Sequence, residues 1–470
     1  MTRLRRAAAL VACLVTYDGA ARAGEPPLSL EQVLTSVETN YPQLRAAVAG
    51  QAEATAGLLV AQGGFDPSLR ASATVEPVSG YPKTYGNATV EVPTAIQGAS
   101  LFGGYRIGRG DYAVYDQKLE TNDHGEVRGG LRVPLLRDRA IDRRRAGLRG
   151  AELGADAARL SAAQQTIDAR KAATVRYWDW VAAGARLEVV RDWLDLARKR
   201  DAALAARVQG GDAPVFERVE NQRAIYQRET ALAAAERDFV QAAVELSLFL
   251  RKTDGSPRVP TADERPPLPE PAAVDIAHGG AEALALSRSP EIQRIEIQSR
   301  RASIERELAG NQRLPGIDVI VAGSKDLGPG DPKRGLPVLE VTALVDIPIL
   351  NRVGNGRADA ADAALRRNHE LLRLARDRAV ADVRIALAGL DSSRTRVAAT
   401  AQELAVARTL AEGELQRFQL GESNLLLVNL REQASAEASV RHVDVLGDFH
   451  RAVASLRAAL ARNGPHDRID

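Results

Sequence analysis

"RFQLGESNLLLVNL", from Arg417 to Leu430, separates two long stretches rich in Ala, Leu and Arg, a composition typical of helices. A related break, "RVQGGDAPVFERV", begins at Arg207. In both stretches Arg, Gln and Gly recur with the same spacing, and Gly211 and Gly421 are 210 residues apart. The two breaks are therefore interpreted as equivalent turns between helices in a duplicated chain.

The duplication extends well beyond the turns. Pro42 and Pro67 have counterparts 248 residues later, and Pro134 has one 214 residues later, at Pro348. The first half therefore carries 34 extra residues between its paired prolines. We expect these residues to form either a longer extracellular loop or longer strands. We predict a signal peptide at 1–23, structural repeats at 24–253 and 276–470, and a Pro-rich connector at 254–275.

The order of predicted elements is the same in both repeats. The first repeat is predicted to have helices over 28–62, strands over about 67–134, a long helix over 139–207 and a helix over 215–250. The second is predicted to have a helix over 281–312, strands over about 316–348, a long helix over 357–419 and a helix over 424–462. Each long helix spans about 100 Å at about 1.5 Å per residue, which is too long for a globular core.

One face of the second long helix carries a heptad repeat. Large residues recur every seven positions at Val383, Leu390, Val397, Leu404 and Ala411. This spacing predicts a seam at which helices pack closely. An ordinary antiparallel coiled coil explains the seam equally well.

The predicted strands show a period-two alternation of apolar and polar residues. In "SLRASATVEP" the apolar residues Leu69, Ala71 and Val75 alternate with polar residues such as Arg70 and Glu76. "EVRGGLRVP" and "VLEVTALVDIP" have a similar pattern. Such strands suit a barrel with lipid outside and water inside, although soluble hairpins alternate too.

The N-terminus has the features of a secretory signal. Three arginines precede an apolar stretch, and Ala21 to Ala23 form a small-x-small cleavage site. Cys13 is the only cysteine, so cleavage after Ala23 leaves none, whereas lipidation of Cys13 remains the alternative. No later segment is apolar for the roughly 18 residues that a membrane helix needs. We therefore expect an exported chain that enters a membrane only through strands.

The composition argues against several other functions. The 63 basic and 61 acidic residues nearly cancel, so we expect no nucleic-acid partner. The six histidines are scattered, and the sequence has no Gly-rich phosphate loop or nucleophile elbow. We predict no enzymatic activity, no cofactor and no metal site.

The duplicated plan, with "NYPQL" and "SPEI" at the openings of its halves, resembles the TolC-like outer-membrane efflux protein family. The resemblance implies a mainly α fold with a membrane β-barrel portion. Each chain of a homotrimer would give four strands to a twelve-stranded barrel, continued across the periplasm by a helical tunnel. It also implies a passive exit duct for tripartite efflux or type I secretion, docked to a periplasmic adaptor and an inner-membrane transporter. The alternative is a periplasmic coiled-coil structural or adaptor protein that forms no channel.

The resemblance implies that the two turns are the periplasmic tips of the tunnel. Positive φ is expected at both turn glycines, and polar side chains should satisfy the amides that open the next helix. The expected tip and adaptor-contact residues are Gly211, Asp212, Gly421, Glu422, Ser423 and Asn424. In the family, acidic residues after the second tip commonly ring the closed entrance.

Leucines occupy the corresponding gate positions in this sequence. Leu427 and Leu430 stand where acids are expected, and Glu217 is the acid that remains after the first tip. Copies of the leucines converging on one axis would form an apolar constriction that resists wetting. The alternative is that both leucines pack the coiled coil of the tip.

Overall fold

The computed structural model of the protein describes residues 27–271 and 278–461. The predicted signal peptide, Cys13 and its lipidation lie outside the described residues, as does part of the predicted connector. No helix within the described ranges is long and apolar enough to cross a membrane.

The first repeat contains four helices and four strands. The helices predicted over 28–62 are two, and they meet at Tyr41, because Pro42 has no N–H and disfavours helical geometry at the residue before it. Ser29 starts the first helix with a reciprocal capping box to Gln32. In order, the elements are α1 (Leu30–Asn40), α2 (Pro42–Gln62), β1 (Ser68–Glu76), β2 (Lys83–Pro93), β3 (Ser100–Gly110), β4 (Glu126–Pro134), α3 (Arg143–Gln209) and α4 (Val215–Ser247).

The second repeat has the same order of helices but only two strands. Pro290 divides its opening helix, and Ser289 caps the second part. In order, the elements are α5 (His278–Arg288), α6 (Pro290–Gln312), β5 (Gly316–Asp326), β6 (Val338–Asp346), α7 (Arg352–Gln419) and α8 (Leu425–Ala459).

The two long helices begin at local caps and not at the positions expected from the sequence. At the start of α3, the Asp142 carboxylate accepts a hydrogen bond from the N–H of Arg145 at 2.9 Å. Asp138, four residues before Asp142, has φ of 69° and so lies outside the helix. Before α7, Asn351 has φ of 44°, which keeps it out of the helix. The helices have 67 and 68 residues. Each is therefore about 100 Å long.

All six strands lie in one antiparallel sheet in the order β1-β2-β3-β4-β5-β6. The expected contribution of four strands per chain is therefore wrong. The extra residues of the first half form an additional hairpin, in which all eleven residues of β2 pair with all eleven of β3. The alternation of apolar and polar residues correctly predicted that this stretch forms strands. It could not predict the number of hairpins, because in a stretch with several glycines that number depends on which backbone segments pair.

Helix neighbours define two open sides of the chain. In the half near the tips, the order across the chain is α4, α3, α8, α7, and near the sheet it is α2, α3, α6, α7. One side therefore presents β1, α2 and α4, and the other presents β6 and α7. These two sides are called edge A and edge B below.

The hydrophobic cores repeat the duplication. In the first, Val33 and Val37 of α1 pack on Trp180 of α3 and Leu246 of α4. The second core joins α5, α7 and α8, and the predicted seam supplies buried Val383, Leu390 and Val397. Each core lies near the middle of a long helix, where it holds the shorter helices in place.

His450 links the connector to the first core. Its ring stacks on Trp178 with centroids 4.0 Å apart, and its Nε2–H donates to the Pro269 carbonyl at 3.1 Å. Burial lowers the pKa of His450 below its ordinary value, and the Pro269 hydrogen bond opposes this. The neutral ring is therefore the form that the fold favours.

We predict that this contact weakens in acid. Because the pKa of His450 is lowered in the folded chain, the stabilisation by its neutral ring is fully present above the ordinary pKa of about 6.5 and is lost below that value, as the pH falls through the lower pKa of the folded state. Thermal unfolding should therefore show a steeper acid loss for the native chain than for His450→Phe, which stacks without titrating. Equal slopes for the two proteins would contradict this prediction.

Candidate functional site

The two tips have the same backbone geometry. Gly211 has φ of 78° and Gly421 has φ of 81°, both in the left-handed region. A Cβ added to either glycine would contact no heavy atom within 4 Å. The glycines are therefore required by backbone conformation and not by crowding.

Equivalent hydrogen bonds close both turns. The N–H of Asp212 donates to the Arg207 carbonyl at 2.8 Å, and the N–H of Glu422 donates to the Arg417 carbonyl at 2.9 Å. Each arginine guanidinium also donates back to the carbonyl of that acidic residue, at 3.3 Å in both turns. The match between the two halves thus extends to individual bonds.

The helices after the tips are capped differently from the expectation. Asn424 accepts the N–H of Leu427 at 3.0 Å and opens α8 as expected. Asp212 and Glu422 cap nothing with their carboxylates, and α4 opens at Pro214 without a side-chain cap. Pro214 is itself the N-cap residue, and its ring fixes φ at −64° where the helix begins but supplies no acceptor for the first amides.

The Ser423 side chain bonds to the preceding helix α7 and not to the backbone amides that open α8. Its hydroxyl donates to the buried carboxylate of Glu414 on α7. This bond ties the turn to the preceding helix, so the expected capping role of Ser423 is also wrong.

Leu427 and Leu430 do not pack the tip of their own chain. They are 39% and 56% exposed, whereas Leu425 and Val428 are 3% and 0% exposed and pack the hairpin. The two exposed leucines are three residues apart and share one face of α8. Within a single chain, Leu425 and Val428 therefore fill the packing role that the alternative gave to Leu427 and Leu430.

Glu217 lies in the first turn of α4, on the other hairpin. One of its carboxylate oxygens is buried and has no hydrogen-bond partner among the described residues.

A buried charged network near the tips was not predicted. Glu432 of α8 lies between Arg200 of α3 and Arg228 of α4, with an oxygen–nitrogen distance of 2.9 Å to Arg228. Asn429 accepts from Arg200 at 2.8 Å. The Arg228 guanidinium, 1% exposed as a residue, also lies 4.6 Å over the Trp193 ring.

The network joins the two helical hairpins. Burial lowers the pKa of Arg228, while the hydrogen bond and charge of Glu432 raise it. Three charged residues at 200, 228 and 432 carry no sequence signal of proximity. Only helix packing brings them together.

The sheet has two chemically opposite faces. One face is exposed and apolar: Leu69 lies opposite Val90, and the row Leu101, Leu131, Val321 and Val341 crosses β3 to β6. An apolar sheet face of this extent is a surface for lipid or protein.

The opposite face is polar and concave. Arg106 pairs with Glu126, Arg132 lies 3.6 Å from Asp318, and Arg128 lies over the Phe102 ring. These strands enclose a cavity of about 370 Å³ lined by both signs of charge. The alternation expected from sequence therefore separates an apolar outside from a charged inside.

Both edges carry exposed apolar residues. Edge A presents Phe216, Val219 and Tyr226 on α4, and edge B presents Ile385 and Val406 on α7. The outer strands of the sheet also have unpaired backbone on these same sides. Complementary open edges on opposite sides suit head-to-tail packing into a ring.

Within 27–271 and 278–461, no group of three or more His, Cys, Asp or Glu residues is arranged to hold a metal ion. The candidate functional features lie instead at the tips and on the two faces of the sheet.

Comparison with known proteins agrees with this geometry. Residues 283–462 match the family model "Outer membrane efflux protein". No curated protein sequence matches the chain.

Solved structures share the fold across nearly the whole chain. A membrane protein from Pseudomonas aeruginosa is 18% identical with a TM-score of 0.67, over 92% of this chain and 93% of that one. The outer membrane protein VceC from Vibrio cholerae is 16% identical with a TM-score of 0.66, over 92% and 96%. The open state of the MtrE outer membrane channel from Neisseria gonorrhoeae is 16% identical with a TM-score of 0.67, over 92% and 89%.

Proposed function

We propose that this chain, which carries an outer membrane efflux protein domain and has the fold of the outer-membrane efflux channels, forms a passive exit duct across the outer membrane and periplasm. Its sheet contributes to the membrane barrel, and its long helices contribute to the periplasmic tunnel. The duct serves a tripartite efflux or type I secretion system.

The two-faced sheet is the observation that carries this proposal. Leu339 and Val341 are 75% and 66% exposed, while Arg106 and Glu126 on the other face form an ion pair. Exposed apolar residues on one face and paired charges on the other suit a wall between lipid and water. A soluble adaptor would instead need a partner protein over the entire apolar face.

We further propose that the chain assembles as a homotrimer. Edge A of one copy would pack on edge B of the next, which buries the exposed apolar residues of α4 and α7. The particle mass in detergent tests this step. A monodisperse monomer that remains soluble without detergent would contradict the proposal.

The tips are proposed as the contact for the periplasmic adaptor. They lie at the end of the chain farthest from the sheet, and their turns expose Gly211 and Gly421 without neighbouring side chains. An inner-membrane transporter would supply the energy in this arrangement.

Gly421→Pro should abolish export without preventing assembly. Proline holds φ near about −65°, whereas Gly421 has φ of 81°, and its N–H bond to the Phe418 carbonyl would be lost. Gly421→Asn is the matched control, because Asn tolerates the left-handed region. Efflux of a dye in cells that depend on this duct should fall at least tenfold only for the proline variant.

Two readouts are needed for this test. Trimers of normal mass should persist in both variants, because the sheet lies a full helix length away, about 100 Å. Unchanged export by the proline variant would place the adaptor contact elsewhere.

A further inference from the structure

The number of strands per chain carries an inference beyond the proposed duct. We infer that three copies close an eighteen-stranded barrel, in which β1 of each chain pairs with β6 of the next. The inference rests on the proposed trimer, and it replaces the twelve-stranded barrel expected from the sequence.

Each strand has the length that a membrane strand requires. The six strands have 9, 11, 11, 9, 11 and 9 residues. A tilted strand needs about 9–11 residues to cross a bilayer. The additional hairpin, β2 with β3, is thus as long as its neighbours and not a short surface excursion.

The hairpin also continues both faces of the sheet. Ala71 of β1 lies opposite Ala88 of β2, and Leu101 of β3 lies opposite Leu131 of β4 on the apolar face. On the polar face, Thr89 and Arg106 line the same cavity as residues of β4, β5 and β6. The hairpin therefore extends the same apolar outside and polar inside that the neighbouring strands have, as a strand of the barrel wall should.

Six strands per chain also allow the ring to close. In an antiparallel sheet with an even number of strands, β1 and β6 run in opposite directions. An edge contact between copies therefore continues the antiparallel order around the ring. Closure leaves no exposed strand edge in lipid, which a membrane barrel requires.

The dimensions of the two parts of the duct agree. Each chain gives four helices to the wall near the sheet, namely α2, α3, α6 and α7. Twelve helices with axes about 9 to 10 Å apart give a circumference of about 115 Å. Eighteen strands about 4.8 Å apart and tilted by about 40° give about 113 Å, whereas twelve give about 75 Å.

The consequence is a wide and hydrophilic exit. A barrel of eighteen strands has a backbone radius of about 18 Å, against about 12 Å for twelve, so its cross-section is about twice as large. Charges of both signs line its wall, including Arg128, Arg132 and Glu340. The membrane portion would therefore accept bulky hydrophilic cargo.

Cysteine cross-linking within the chain tests the strand number. Cys13, in the predicted signal peptide, is the only cysteine of the sequence, so introduced cysteines can be cross-linked with little reaction from native thiols. With a short bifunctional thiol reagent, Ala71→Cys should cross-link to Ala88→Cys, and Leu101→Cys to Leu131→Cys. Ala71→Cys paired with Val127→Cys, Leu131→Cys or Val133→Cys should not react, because three strand spacings are about 14 Å.

The same experiment can overturn the inference. In a twelve-stranded barrel β1 lies beside β4, so Ala71→Cys would cross-link to a β4 position and not to Ala88→Cys. That result would contradict the eighteen-stranded barrel but leave the trimeric duct intact. Failure of the Ala71–Ala88 pair to react would also overturn the inference.

Cross-linking between chains tests the proposed trimer, on which the inference rests. Val341→Cys on β6 is combined in turn with cysteine at Leu69, Ala71, Ala73 or Val75 on β1, with single-cysteine variants as controls. These positions are five strands apart within one chain, about 24 Å, so a product must join two chains. A ladder that ends at the trimer supports the contact of β1 with β6 of the next chain, and together with the Ala71–Ala88 product it supports eighteen strands. No ladder, or one of another size, would contradict both the trimer and the barrel.

Discussion

Glu432→Gln is expected to loosen the tips by about 3–5 kcal/mol, the usual loss when one partner of a buried ion pair is removed. The carboxylate of Glu432 contacts both Arg200 and Arg228, and Arg228 is almost completely buried. Its removal leaves two guanidinium groups without a counter-charge between α3, α4 and α8. Hydrogen exchange of the tip amides in the assembled particle measures the effect.

The same helix provides a matched control. Glu437 forms an exposed contact of 3.9 Å with Arg441, so Glu437→Gln should change exchange by less than about 0.5 kcal/mol. Replacing Glu432, Arg200 and Arg228 together with Leu, Leu and Met should restore most of the protection, because an apolar cluster of similar volume needs no counter-charge. Equal protection in Glu432→Gln and Glu437→Gln would show that the network does not hold the hairpins together.

Leu427→Asp combined with Leu430→Asp should raise the conductance of the closed duct severalfold and increase its selectivity for cations. We propose that these exposed leucines, repeated in three copies, form an apolar constriction at the entrance. Narrow apolar constrictions exclude water and therefore block ions without charge. Single-channel recording in a planar bilayer measures both quantities.

Val428→Asp is the contrasting variant. Val428 is fully buried in the tip, so a charge at this position should disrupt packing and lower trimer stability. The Leu427 and Leu430 variant should instead form trimers of normal stability. Intact trimers with unchanged conductance would contradict the hydrophobic gate and return the gating role to residues such as Glu217.

Local sequence chemistry predicted the framework of this protein well. Positive φ at Gly211 and Gly421 follows from the absence of a side chain, and apolar residues at Val383, Leu390 and Val397 are buried as the heptad spacing indicates. Alternation along the strands likewise separated the two faces of the sheet. Each of these features depends on residues that are close in the sequence.

Predictions that required knowledge of neighbours were less successful. Ser423 bonds to Glu414 and not to the helix that it precedes, and the carboxylates of Asp212 and Glu422 cap no helix. The hydroxyl and carboxylate groups had the right chemistry for capping. Their actual partners depend on how the turn lies against α7 and on the solvent around the tip.

Residue spacing and local backbone preference were enough to predict the duplicated plan, the long helices, the two tips and the apolar and polar faces. Tertiary packing alone sets the number of strands, six within 27–271 and 278–461, and places Glu432 between Arg200 and Arg228. Strand pairing and buried ion pairs join residues up to 232 positions apart. Such contacts are selected by the burial and hydrogen bonding of the whole chain, which no local pattern encodes.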